Sequence, residues 1–476
     1  MNSIPFADFR HGLSACFLRA GAALGNTLDA LLTDPSARSF PELSLSPFFQ
    51  RRWSSLYQAV QDGQIDRAAL QKLFVAHLPE PSPGQRLILG IDASSIYRPL
   101  APTSRDRTAQ FVHNLPHVKA PVQPGWSFST LLVLPETPSS WTYLLDNQRI
   151  ESSKTAAEVA GSQLRTLLPR LKQRFPRGPR PLLLGDRYYG SAAFLQQIRT
   201  LPIDGLFRIQ GHRCFYRAAP SRLPAGQNPP GAPRKDGDPF KCKDPSTWGS
   251  PDASWEGLDE KGKKIQVLAW NGLHFQECRE GTLCVVRVSR PSALDTKRDP
   301  RVSWFILVGE PLLLSEVPRT YRLRFSQEHG YRFDKGSLLW AEPHFRTPEQ
   351  FQRWTDLVAA AHNQLVVARP WAEAIRRPWE GTQRAATPQQ VRRAMGRIIG
   401  ELGPLAPPPQ PRGKSPGRPK GALVKRSPRH PVVLKADRNG KKRGSGTTKP
   451  HHSAPNEPPL SGNLSSSSLA PPSLLI

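Results

Sequence analysis

The sequence predicts an α/β fold interrupted by a β-rich insertion, with helices on either side and a basic tail at the end. Three observations carry this. Apolar strand-like runs alternate with amphipathic helices between residues 85 and 205. Short β-like runs then surround a long Pro/Gly-rich stretch. From Gly403 the composition turns to Pro, Ser, Gly, Lys and Arg, with 13 Lys/Arg against 2 Asp/Glu. Such a tail is predicted to be disordered by itself.

A chain of 476 residues is long enough for two to four domains. Its net charge of +28 and pI of about 10.5 point to an acidic polymer as partner, nucleic acid being the common one. The five cysteines (Cys16, Cys214, Cys242, Cys278, Cys284) are odd in number and lack Cys-x-x-Cys spacing, so neither a disulfide framework nor a zinc knuckle is indicated. No apolar run approaches 18 residues, and Asp8 and Arg10 interrupt what would otherwise read as a leader. The expectation is a cytoplasmic, DNA-associated protein without a membrane anchor.

Residues 1–80 read as a helical N-terminal domain, from apolar spacing in Leu18–Leu32, Phe48–Val60 and Ala68–Leu78. Arg51, Arg52 and Trp53 set cations beside an aromatic ring, which suits DNA contact or a purely structural bundle. Pro79–Gly84 is a linker. Leu87–Ile96 follows as a buried-strand pattern broken by one acid, Asp92. A charge there costs several kcal/mol unless paired or bound to metal. Trp126–Leu134 and Trp141–Asp146 read as strands and Thr155–Phe175 as an amphipathic helix with a basic face. Pro181–Gly190 is an apolar strand ending in Asp186 and a Gly-flanked turn, and Ser191–Arg199 continues as a helix. Ligands of open α/β sheets collect at the carboxyl ends of strands, where Asp186 stands. For Asp186 taken alone, a helix N-cap or turn role is the favoured reading.

Residues 206–311 read as the β-rich insertion, with strands at Leu206–Gln210, Ile265–Trp270, Thr282–Val288 and Val302–Val308. Between the first two, Ala218–Lys264 reads as a long surface loop. Residues 312–345 return to the core. Residues 346–402 form a helical C-terminal region whose helices, Thr347–Val367 and Pro388–Leu402, each begin at a Thr-Pro pair. In the tail, 403–476, Pro416–Gly421 resembles an AT-hook, with Arg418 and Lys420 as its cations and Pro416 where the hook's first Arg stands. A nonspecific phosphate binder is the alternative.

The decisive stretch is Tyr321–Lys335. Tyr321, Arg324, Glu328 and Lys335 lie at offsets 0, 3, 7 and 14. On one continuous helix they would share a sector of roughly 60°. That face would set a carboxylate beside an Arg fork, an ammonium and a phenol, a set suited to a phosphate with its metal. A solvated basic face is the other reading. Three carboxylates (Asp92, Asp186 and Glu328) converging at a sheet end would repel one another unless divalent cations sit among them. Two Mg²⁺ ions about 3.5–4 Å apart clamp the attacking and leaving oxygens of a phosphoryl displacement.

The order of motifs resembles the DDE transposases of bacterial insertion sequences, in which a ribonuclease H-like core is interrupted by a β insertion. The tyrosine, arginine, glutamate and lysine spacing matches that superfamily's signature. The resemblance covers roughly residues 80–400. It implies that Asp92, Asp186 and Glu328 bind two Mg²⁺ ions, with Mn²⁺ as a substitute. It implies that Tyr321, Arg324 and Lys335 hold the terminal phosphate and a flipped base, and that Trp304 fills the space the base leaves. Cut-and-paste transposition through a hairpin, on DNA ends held by a homodimer, is the implied activity. A ribonuclease H-like nuclease without strand transfer and a non-catalytic basic DNA-binding protein are the alternatives.

Overall fold

A computed structural model describes residues 4–112, 122–221, 232–296, 299–381, 383–410, 419, 421 and 426–435. Four helices open it: α1 (Ile4–Cys16), α2 (Gly21–Thr33), α3 (Ser54–Asp62) and α4 (Arg67–Ala76). A two-stranded ribbon, β1 (Phe17–Arg19) with β2 (Gln64–Ile65), ties the first of them to the last. Asp66 caps α4 by accepting the Ala69 N–H. Residues Leu24–Leu32 of α2 are all buried, so this helix is enclosed on every side.

The core sheet follows. Its strands are β3 (Ile88–Tyr97), β4 (Thr108–Phe111), β5 (Val122–Val133), β6 (Tyr143–Ile150), β7 (Leu182–Gly185) and β8 (Asp204–Ile209). Helix α5 (Ala156–Arg174) lies between β6 and β7, and α6 (Ala192–Ile198) between β7 and β8. Thr155 and Glu158 form a capping box at the start of α5. The order across the sheet is β6-β5-β3-β7-β8, with β4 on the first residues of β5. Strand β5 is antiparallel to β3 and β6, while β7 is parallel to β3 and β8. Alternation splits the strands between two cores: Leu183 joins the large helical cluster, and Leu182 and Leu184 join the smaller one on the other side.

The insertion adds β9 (Cys214–Tyr216), β10 (Pro239–Lys241), β11 (Ala253–Leu258), β12 (Lys264–Phe275), β13 (Cys278–Ser289) and β14 (Val302–Val308). Because β14 pairs antiparallel with β8, these strands prolong the core sheet. The end of the insertion is tied to the core at Asp204, which opens β8 and is fully buried. This carboxylate pairs with Arg86 and Arg180 and accepts the Glu310 N–H at 3.1 Å. Gly309, at φ +85°, allows that approach, since a Cβ there would lie 2.1 Å from Asp204 Oδ1.

After the insertion come α7 (Val317–Arg322), α8 (Phe325–Gly336), α9 (Pro348–Ala374) and α10 (Pro388–Leu402). Thr347 with Gln350, and Thr387 with Gln390, form capping boxes in front of the last two. These helices share their core with the N-terminal ones. Phe6 meets Trp371 edge-on, Arg10 bonds Gln364 at 3.1 Å, and Arg392 donates to the Leu31 carbonyl at 2.8 Å.

The structure departs from the sequence reading in four places. Ala218–Lys264 is no plain surface loop: β10 and β11 lie within it, and Phe240 and Trp248 pack on Trp270, because three large rings supply enough apolar area to fix the chain. Leu206–Gln210 belongs to the core as β8, parallel to β7, and not to the insertion. Tyr321–Lys335 is not one helix. It breaks at Leu323–Arg324, where i→i+3 bonds tighten the backbone between α7 and α8. The tail from Gly403 is anchored at two described points rather than wholly free: Leu405 N–H donates to Asp29 at 2.7 Å, and Val433 N–H donates to the Arg107 carbonyl at 2.7 Å beside β4. Arg418 and Lys420 lie outside the described residues.

Arg10 of α1 and Asp29 of α2 pair at 2.7 Å with Asp29 wholly enclosed, and each also bonds a C-terminal residue, Arg10 to Gln364 and Asp29 to the Leu405 N–H. Arg10→Ala should cost about 3–5 kcal/mol, because it leaves Asp29 buried without its partner. Urea denaturation measures this, and a loss below about 1 kcal/mol would contradict the assignment.

Candidate active site

The site begins with strand register. Parallel pairing of β3 and β7 ends at Ile91 opposite Gly185, and the next residue on each strand is an aspartate, Asp92 and Asp186. Strand β7 stops there while β3 continues, so both acids stand at the carboxyl end of β7. Asp186 turns the chain: its carboxylate accepts the Tyr188 N–H at 2.9 Å and its carbonyl the Tyr189 N–H at 3.1 Å. Asp92 accepts the Ala93 N–H at 2.8 Å. Burial, and next the charge of Asp186, push Asp92 up to about 7; Glu328 adds to this, while Arg324 and the Ala93 N–H oppose it.

Glu328 stands in the first turn of α8, half exposed. Arg324, at the break between α7 and α8, reaches Glu328 at 2.8 Å and Asp92 at 3.8 Å. One guanidinium thus supplies the countercharge to the first and third acids. It also lies over the rings of Tyr321 and Phe325, at 5.8 and 5.4 Å. Tyr321 is buried against Phe305, with centroids 4.8 Å apart; burial pushes its hydroxyl up, and Arg324 and Arg208 pull it back. Lys335, farther along α8, donates to the Ser95 carbonyl of β3 at 3.1 Å, and burial lowers its pKa against the pull of Asp92. Despite the helix break, Arg324, Glu328 and Lys335 therefore gather around Asp92, and Tyr321 joins them through Arg324.

Trp304 does not join them. It is 5% exposed, in a ring cluster with Phe240, Trp248 and Trp270 inside the insertion. Trp248 is the partly exposed member, with Arg287 5.4 Å over its ring.

Among the described residues no three His, Cys, Asp or Glu side chains stand together as a ready metal cluster. The donors nevertheless fit a divalent cation. They are all hard oxygens, and two acids raise the pKa of the third. Buried polar atoms without partners also gather here: Arg324 Nε, Gln327 Oε1 and the Tyr189 hydroxyl. The charge of Asp92 is the largest electrostatic influence on Tyr189 after burial. Neither Tyr189 nor Gln327 was singled out from the sequence; the Asp-Arg-Tyr-Tyr-Gly turn was the available signal for the first.

A family profile described as DDE superfamily endonuclease matches residues 12–275, more than half of the chain. This chain belongs to that family. Its members are generally divalent-metal dependent, and an endonuclease family implies DNA as substrate. The match contains Asp92 and Asp186 and ends before Glu328, so the third acid rests on the geometry above. No curated protein matches the chain. No helix among the described residues is long and apolar enough to cross a membrane.

What seats α8 is a buried polar chain. His362 Nδ1 lies 2.7 Å from Asp334 on α8, and its Nε2 lies 2.9 Å from the Thr142 carbonyl. Gly330 permits this packing, since a Cβ would come 2.8 Å from Thr142 Oγ1. Burial works against a charged His362, but the Asp334 carboxylate and the hydrogen bonds outweigh it and raise its pKa. The pair's stabilisation is therefore fully present below the unfolded value of about 6.5 and is lost as pH rises through the raised folded value. The gap in urea midpoint between the wild type and His362→Asn should shrink from pH 5.5 towards alkaline pH. A gap that grows would reverse the assignment.

Proposed function

We propose that the chain is a DNA transposase of an insertion sequence, cutting at transposon ends and joining them to target DNA by cut-and-paste. The observation that carries this reading is the arrangement of three acids with a guanidinium and an ammonium around Asp92. Asp92, Asp186 and Glu328 would hold two Mg²⁺ ions, or Mn²⁺ in their place. When bound, such ions lower the pKa of an attacking water or 3′-hydroxyl and stabilise the leaving oxyanion.

The chain's own residues do the rest. With the acids neutralised, Arg324 is free to turn its fork from Glu328 to a phosphate oxygen, a bidentate geometry that lysine cannot reproduce. Lys335 adds a second positive charge from the β3 side, and the Tyr321 hydroxyl stays protonated as a donor. Held this way, the phosphodiester at the transposon end faces in-line attack by water, which breaks its bond to the transposon 3′-oxygen and leaves a 3′-hydroxyl; that hydroxyl then attacks the facing phosphodiester of the opposite strand and expels the 3′-oxygen of the flanking DNA. The product is a hairpin, which a second hydrolysis opens before strand transfer. The strand order β6-β5-β3-β7-β8 supports reading the core as ribonuclease H-like. Trp304 would take the place of a flipped base once its ring cluster opens, and two copies of the chain would hold the paired ends.

The test uses short inverted repeats sought in the flanks of the gene. A labelled repeat-end duplex is incubated with protein and Mg²⁺ and resolved on a denaturing gel. The wild type should give a nick at the repeat boundary that becomes a hairpin. Asp92→Asn, Asp186→Asn and Glu328→Gln should each lose at least about a thousandfold in cleavage, roughly 4 kcal/mol of barrier, while still binding the duplex. A nick without hairpin or joining would favour a nuclease that does not transfer strands. Binding without any cut would leave a DNA-binding protein.

A further inference from the structure

Between α8 and β3 runs a set of contacts that the acids and cations do not account for. Gln327, wholly buried, donates from Nε2 to the Tyr331 hydroxyl at 3.1 Å. Tyr331 in turn donates to the backbone carbonyl of Asp92 at 3.3 Å. Both residues belong to the helix that bears Glu328, and the acceptor belongs to the residue that bears the first acid. Lys335 makes the next contact along the same two elements, to Ser95. Gly90, two residues before Asp92, makes room for this arrangement. A Cβ there would come 2.8 Å from Gln327 Oε1 and 3.0 Å from Leu132.

The consequence is a fixed separation. Glu328 is half exposed, and among the described residues its charged partner is Arg324, which DNA would draw away under the proposed function. Its distance from Asp92 is then set by the backbone of α8 against β3. That backbone relation rests on two hydrogen bonds, those of Tyr331 and Lys335, with Gln327 fixing the direction of the Tyr331 hydroxyl. The Tyr331 ring is itself stacked 6.1 Å from Trp340, so the hydroxyl cannot follow a wandering helix.

We infer that Gln327, Tyr331 and Gly90 are positioning residues that set the spacing of Glu328 from Asp92 and so the selectivity of the site for a small octahedral cation. Mg²⁺ demands near-ideal geometry at short distances, whereas Ca²⁺ accepts six to eight oxygens in flexible arrangements. Loosening the spacing therefore penalises Mg²⁺ selectively. The inference rests on the metal-binding reading of the three acids.

Calorimetric titration of Mg²⁺ and of Ca²⁺ alone into metal-free protein provides the test, without DNA or turnover. Tyr331→Phe keeps the ring on Trp340 and removes the bond to Asp92; Gly90→Ala displaces Gln327 from the other side. Each should weaken Mg²⁺ binding by about tenfold or more, the usual effect of losing an outer-shell partner, and change Ca²⁺ binding by less than about threefold. Both ions are measured on one folded variant, so a general loss of stability moves them together. Tyr143→Phe is the control: it removes a buried bond of 2.8 Å to the Phe74 carbonyl, and should lower the melting temperature without altering the ratio. An unchanged Mg²⁺ to Ca²⁺ ratio in both site variants overturns the inference alone. A wild type that binds neither ion overturns the metal reading together with it.

Discussion

Everything at the site depends on one electrostatic conflict held in place by a sheet. Parallel pairing of β3 with β7 forces two carboxylates into adjacent positions at a strand end, and the hydrogen-bonded ladder denies them the freedom to separate. Their mutual repulsion and partial burial appear as the raised pKa of Asp92. In the free protein Arg324 is the charge that makes this tolerable, which is why a cation sits between Asp92 and Glu328. The site is thus preloaded with a positive group that the reading above reassigns to phosphate.

The surrounding architecture serves to keep that conflict from relaxing. Helix α8 is pinned on one flank by the His362–Asp334–Thr142 chain and on the other by β3. The insertion does not hang from the core as a separate body but prolongs its sheet through β14 and β8, and its last residues are tied back to Asp204 through the Glu310 N–H. The N-terminal helices share one hydrophobic core with α9 and α10. Displacing any of these layers would be felt through continuous packing rather than across a linker.

Much of this was legible in the residues. Asp92 stood out because a lone acid in an apolar strand needs a partner, and Asp186 because strand ends followed by turns collect function. Thr-Pro pairs placed the starts of α9 and α10 and apolar spacing that of α5, and at all three the structure adds a capping box of Thr with Glu or Gln three residues on. The break at Leu323–Arg324 was not legible, because no Gly or Pro marks it; Val317, Tyr321 and Leu323 are buried in the core opposite α5, and tertiary packing sets the bend. Gly330, which does look like a breaker, is helical because it admits Thr142. Helix α1 lies within the stretch read as helical, and its Phe6, Phe9 and Leu13, at helical spacing, are buried. The strands in Ala218–Lys264 were hidden by proline and glycine, their order coming from rings that meet only in three dimensions.

The last described segment has a consequence of its own. Residues Ser427–Val433 run along β4, with Ser427 bonded to Arg346, His430 to Pro102 and Arg107, and Val433 bridging Thr108 in parallel. An exposed strand edge is a template on which other chains can add themselves. Here the molecule covers part of that edge with a described segment of its own carboxyl-terminal chain, which shields it from itself. The shielding comes from backbone rather than charge, since the Val433 N–H and carbonyl meet the Arg107 carbonyl and the Ala109 N–H.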